Sequence, residues 1–267
     1  MINTLKSENK MPVLFIGHGS PMNAIANNSF TRILNELGTR MPTPKVILCI
    51  SAHWTTEGTW VTAMASPKTI HDFYGFPQEL SHVQYPAPGD PAMAELIRAT
   101  VSNPQIQADH EIWGLDHGSW SVLKHIYPQA NIPVIQLSLN LSQPPEYHYR
   151  LGQSLRSLRE KGVLIVGSGN IVHNLRRISW EEKAGPYDWA IEFDEWVKNK
   201  IINQDHQPLL SEVNTSTVGQ LSVPTPEHYY PLLYALGASD KKESMTFLFE
   251  EIHNSSISMR SVAYGLS

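Results

Sequence analysis

Cysteine is almost missing. Cys49 is the only one in 267 residues, so no internal disulfide can form. That excludes a disulfide-stapled scaffold and fits a reducing, cytoplasmic setting. Charge is scarce as well: 17% of residues are Asp, Glu, Lys or Arg, against about 25% in an average chain. Low charge beside 41% apolar residues excludes a disordered chain, which needs the opposite balance. There is no basic excess. Twenty Lys and Arg face 25 Asp and Glu, a formal net charge of −5, so nucleic acid is not an expected partner. No apolar run approaches the roughly 18 residues that span a bilayer. Residues 1–10 hold no apolar stretch of the signal-peptide kind. Neither a membrane anchor nor export is expected. Histidine is what the chain has in quantity, with 12.

A chain of this length should bury roughly 70–75% of its unfolded surface, enough for a core without crosslinks. Short apolar runs at 12–16, 45–50, 59–64, 132–138 and 163–166 read as strands. Helical spacing marks a helix ending at Gly38, one opened by Pro91, an amphipathic one over 145–161, and one over 188–202. Ser119 reads as the cap of a short helix through His125. Residues 203–226 read as a polar loop, a helix follows the turn around His228, and 245–250 and 257–264 are antiparallel strands. No repeat or linker interrupts the chain. Residues 1–267 are therefore read as a single catalytic domain, with 1–10 a loose tail. Strands alternating with helices predict an α/β fold with helices on both faces of a mostly parallel sheet.

Ligands in such folds bind beyond the carboxyl ends of strands. His18, His53 and His173 sit just past apolar runs, and His228 opens a helix. Neutral imidazoles gathered at one rim suit zinc, copper, iron or nickel. Taken singly, each histidine is also readable as an ordinary polar residue at a strand end. Glu227 beside His228 leaves open whether the third ligand is imidazole or carboxylate. Trp54, Trp113, Trp120 and Tyr229, near these histidines in sequence, read either as core packing or as an aromatic pocket wall. The Pro- and Gly-rich stretch 66–91, with Phe73, Tyr74, Phe76 and Tyr85, is longer than an idle loop. Gly167-Ser168-Gly169 reads as a plain turn or an anion site, and Ser20 lacks the flanks of a nucleophile elbow.

Seven ordered motifs carry a resemblance. They are Gly17-His18-Gly19-Ser20-Pro21; Ser51-Ala52-His53-Trp54; Ile70-His71-Asp72-Phe73-Tyr74-Gly75-Phe76-Pro77; Tyr85-Pro86-Ala87-Pro88-Gly89; Trp113 through Trp120; Gly167 through Asn174; and Thr225-Pro226-Glu227-His228-Tyr229. Together the chain resembles the 4,5-DOPA extradiol dioxygenases, a branch of the class III extradiol ring-cleavage enzymes, and most of all the bacterial, cytoplasmic members. The resemblance runs from about residue 11 to the C-terminus. It implies a three-layer α/β/α sandwich with a mixed, mostly parallel central sheet. It implies one divalent metal bound by His18, His53 and His228, with His173 either a fourth ligand or an acid/base. His117 would meet the substrate hydroxyl or oxygen. The implied partners are a small catechol such as L-DOPA and O2. Fe(II) would serve ring cleavage, and Zn2+ would be an occupant unable to perform it. The Glu227-His228 pair departs from the glutamate ligand of protocatechuate-cleaving relatives. Two other readings of the histidines are a zinc-dependent hydrolase on the same fold and a non-catalytic binding relative.

Overall fold

A computed structural model describes residues 10–181 and 184–266. Most of the expected tail, residues 1–9, lies outside the described residues, which begin at Lys10. Its Nζ pairs with Glu243 at 2.7 Å.

Twelve strands form among the described residues: β1 (Val13–Gly17), β2 (Val46–Thr55), β3 (Thr59–Thr62), β4 (Lys68–Thr69), β5 (Ile106–Asp109), β6 (Gly114–Leu115), β7 (Val134–Leu139), β8 (Val163–Gly169), β9 (Met245–Phe249), β10 (Ile252–His253), β11 (Ile257–Ser258) and β12 (Ser261–Tyr264). Eight of them make one sheet in the order β5-β3-β7-β2-β8-β1-β12-β9. The central β7, β2, β8 and β1 are mutually parallel. β3 and β12 turn the flanks antiparallel. The sheet is mixed, with a parallel centre.

Alternation along the central strands explains the layers. Val13, Phe15, Leu48, Ile50 and Ile165 face one core, while Leu14, Ile16, Ile47, Leu164 and Val166 face the other. Helices cover both faces, as the α/β/α reading requires. Helices α1 (Ser29–Arg40), α2 (Gln78–Ser81) and α4 (His117–Ile126) send residues into the second core. Helices α3 (Pro91–Thr100), α5 (Pro145–Leu155), α6 (Asp188–Ile202), α7 (Gln207–Ser211) and α9 (Tyr230–Ala238) send theirs into the first.

Several local readings are corrected. Helix α1 runs through Gly38 to Arg40. A Cβ at Gly38 would collide with the Ile126 carbonyl, so this glycine permits α1 to lie on α4. Asp116, not Ser119, caps α4, accepting the Ser119 N–H at 3.2 Å. The stretch 203–226 holds α7 and α8 (Thr217–Ser222), the latter capped by Ser216. The amphipathic helix ends at Leu155 and continues as a 3₁₀ turn over Arg156–Lys161.

Candidate metal centre

Register brings the histidines together. Gly17 pairs with Gly169 and Ser51 with Ser168, so β1, β2 and β8 end at one rim. His18 follows β1 directly and donates its N–H to the Gly169 carbonyl at 3.1 Å. His53 lies inside β2, which runs five residues past its expected end at 50. His228 precedes α9. The Asn170 N–H donates to its carbonyl at 2.8 Å, pinning it to the end of β8. His173 follows β8, bridges Ile257 and donates its N–H to Ser222 at 2.9 Å. His117 is the first residue of α4.

The five rings line one cavity of about 320 Å³. The ring centroids of His18, His53 and His228 form a near-equilateral triangle, with sides of 5.1, 5.0 and 5.4 Å. His173 stacks parallel on His228 at 3.4 Å, and His117 tilts against His53 at 3.9 Å. Donor atoms of His18, His53 and His117 lie within 4.8 Å of one another, as do those of His173, Glu227 and His228.

Each ring of the triangle has a partner behind it. His18 Nδ1 meets Ser168 Oγ at 2.9 Å. His53 Nδ1 lies 3.4 Å from Asp72 Oδ2. His228 Nδ1 lies 3.2 Å from Glu227 Oε1, which also accepts from Thr225 Oγ1 at 2.8 Å. Glu227 therefore sits beside the ring nitrogen it orients. Such outer partners fix tautomer and orientation in metal-binding histidines. The Nε2 atoms of His18 and His53 face each other at 3.2 Å. Two nitrogens on a tetrahedral zinc would be about 3.3 Å apart, from Zn–N distances near 2.05 Å.

The electrostatics agree with a cation site. Burial lowers the pKa of His18, His53 and His228 well below the usual imidazole range, and the neighbouring histidines lower it further. Burial, then the charge of His117, brings His173 down to about 4. All four are neutral at pH 7, with lone pairs free for a metal. Burial would raise Asp72, but hydrogen bonding and charge from His117, with the charge of His53, hold it at about 2. Asp116 is pushed up by burial and by Asp72, against hydrogen bonds from Gln136 and Ser51. The residues present therefore fit a divalent metal.

Of the two readings of Trp54, Trp113, Trp120 and Tyr229, packing holds. Trp54 and Trp113 stack on each other at 5.8 Å. Trp120 and Tyr229 are buried in the two cores. None of the four lines the cavity; Phe73, Tyr74, Phe76 and Trp180 do, three of them from the 66–91 stretch. Ser20 also lines it, but its Oγ caps a 3₁₀ turn through the Met22 N–H. Gly167 and Gly169 lie within β8, and no anion turn forms there.

An α/β/α sheet with imidazoles converging at its rim is an arrangement that could hold a metal ion. The family model for the catalytic LigB subunit of aromatic ring-opening dioxygenase matches residues 12–264, and the chain belongs to this family of ring-opening enzymes. It is 47% identical over 264 residues to the 4,5-DOPA dioxygenase extradiol of Escherichia coli K12, covering 98% of this chain and 97% of that one. It is 36% identical to the protein of the same name from Beta vulgaris, covering 93% and 92%. A crystal structure of an uncharacterized Escherichia coli K12 protein superposes with a TM-score of 0.84 at 44% identity, over 95% of this chain and 99% of that one. Among the described residues no helix is long and apolar enough to cross a membrane.

Proposed function

We propose that the chain is one catalytic domain that opens a catechol by extradiol cleavage with O2. The names of its relatives point to L-DOPA, cut at the 4,5 bond to a seco-DOPA semialdehyde. The observation that carries the reading is the triangle of His18, His53 and His228, flanked by His117 and His173 in one aromatic-walled cavity. His18, His53 and His228 hold the metal. Fe(II) held there would bring catechol and O2 together and pass electrons from the catechol to O2, whereas Zn2+ has no redox chemistry.

The remaining roles belong to the chain. Asp72 is ionised and accepts only, so His117 Nδ1 must donate to it across 3.0 Å. That leaves His117 Nε2 with its lone pair, able to accept from a substrate hydroxyl. His173, neutral at pH 7, takes a phenolic proton. Phe73, edge-on to His117 at 5.6 Å, limits water beside the ring. The lone buried thiol of Cys49 supports a cytoplasmic location.

The test is a metal exchange without air. The stripped protein is reloaded with Fe(II) or with Zn2+ and given L-DOPA, and O2 is then admitted. O2 uptake with a yellow ring-opened product is expected from the iron form alone. Ester hydrolysis by the zinc form without O2, or protein binding by a metal-free native preparation, would overturn the reading.

A further inference from the structure

Ser168 lies on β8 between β1 and β2, paired with Ile16 of one and Ser51 of the other. Those two strands deliver His18 and His53. The Ser168 side chain is buried, and its Oγ has two partners: the Gly118 carbonyl oxygen, and His18 Nδ1 at 2.9 Å. A hydroxyl has one proton to give. The carbonyl can only accept, so that proton goes to Gly118. Towards His18 the oxygen is left as an acceptor, and Nδ1 must carry the ring proton. His18 is neutral, held well below the usual imidazole range by burial and then by the neighbouring histidines. Its lone pair is therefore on Nε2.

The same count applies to His53. Its Nδ1 lies 3.4 Å from the Asp72 carboxylate, which only accepts. The bare nitrogens of the two rings are then the Nε2 atoms, and these face each other at 3.2 Å. Two lone pairs at that distance repel, and a cation between them turns repulsion into attraction. Ser168 also reaches the substrate side of the centre. Gly118 follows His117 in the first turn of α4. The approach of that turn to the rim requires glycine: a Cβ at 118 would run into Ser51 Oγ and lie 2.8 Å from His53 Cδ2. One hydroxyl thus joins the ring of His18 to the peptide that follows His117.

We propose that Ser168 is a positioning residue of the metal centre. It holds His18 in the Nδ1–H tautomer, so that Nε2 is the nitrogen offered to the metal, and it ties His18 to the turn that presents His117. The proposal rests on the reading of His18 as a metal ligand.

The test reads the tautomer directly. The full-length protein is labelled with nitrogen-15 and stripped of metal at neutral pH. Long-range proton–nitrogen correlations then distinguish a protonated ring nitrogen from a bare one, and the His18 signals are those missing in His18→Gln. Zinc affinity is measured beside them against a competing chelator. The parent should show His18 protonated at Nδ1. In Ser168→Ala that nitrogen loses its acceptor, so the Nε2–H form should appear and zinc affinity should fall about 10- to 100-fold. Ser138→Ala controls for the loss of a buried hydroxyl elsewhere in the sheet. Its Oγ bonds Thr56 and the Trp60 N–H instead, so this variant should keep the parental tautomer and affinity. An Nε2–H His18 in the parent would overturn the proposal, whether or not the variants fold. So would a Ser168→Ala protein that binds zinc as tightly as the parent. A parent that binds no zinc would overturn the reading of His18 as a ligand instead, and the tautomer would still decide the part played by Ser168.

Discussion

Asp72 holds His117 at two points. Its Oδ1 accepts the His117 backbone N–H at 2.9 Å, and its Oδ2 accepts Nδ1 of the same residue at 3.0 Å. The same Oδ2 lies 3.4 Å from His53 Nδ1. One carboxylate thus sets the tautomer of the histidine assigned to the substrate and backs a histidine assigned to the metal.

Asp72→Asn should therefore hurt more than a lost surface charge. An amide has one acceptor and one donor end, and the site demands two acceptors. Either the backbone bond to His117 is lost, or Nδ1 faces an amide N–H and the ring takes the wrong tautomer. Ring opening should fall about 10- to 100-fold, in line with other partners of metal-binding histidines. Metal content measured against a competing chelator should fall with it. Unchanged rate and affinity would remove Asp72 from the site.

Substitutions should separate the five histidines into two groups. His18→Ala, His53→Ala and His228→Ala should each leave little bound metal after dialysis. His117→Ala and His173→Ala should keep the metal and lose about 10²–10⁴ in rate, the range for a missing acid or base. Elemental analysis beside single-turnover rates reads both. A metal-free His173→Ala protein would make His173 a fourth ligand.

Much of this was legible in the sequence. The short, unbroken apolar runs of β1, β2 and β8 mark strands, and His18 and His53 stand where such strands deliver ligands. Asp72 was not assigned a part in the centre, because its partner is 45 residues away and no local period links them. For the tryptophans the packing reading is the one that holds. Successive residues in a strand point to opposite faces, so Trp54 turns away from the side that His53 faces. The two helices within 203–226 span only five and six residues, too few for a period to show.

The protein should be sensitive to acid in a defined window. His148 is buried, its ring 4.0 Å from Tyr230 and its Nδ1 3.2 Å from Tyr234 Oη. Burial lowers its pKa to about 4, against smaller opposing effects of the Gln143 and Asn140 backbone. In the unfolded chain it titrates near 6.5. Between those values the unfolded state binds more protons, so stability falls as pH falls from about 6.5 to about 4 and is flat above. His148 alone accounts for about 3 kcal/mol across that window. Urea midpoints of the metal-free protein should trace this fall. His148→Phe should start lower, having lost Tyr234, yet decline less steeply; an identical slope would refute the assignment.

Gly169 tests whether the metal site depends on how closely α9 approaches the sheet. It ends β8, and a Cβ there would run into the His228 carbonyl and lie 3.1 Å from the Pro231 ring. Those atoms belong to the segment that delivers His228 and opens α9. Neither is a flexible side-chain tip, so the segment must move as a unit. The Asn170 N–H bond to the His228 carbonyl would stretch with it. Gly169→Ala should therefore weaken metal binding while the far end of the sheet, β5-β3-β7, stays folded. The expected signature is a reduced metal stoichiometry with near-parental circular dichroism. Gly185→Ala, where a Cβ meets nothing within 4 Å, is the matched control and should bind metal as the parent does. If both alanine variants bind metal equally, the approach of His228 to β8 has slack, and Gly169 is not needed for the site.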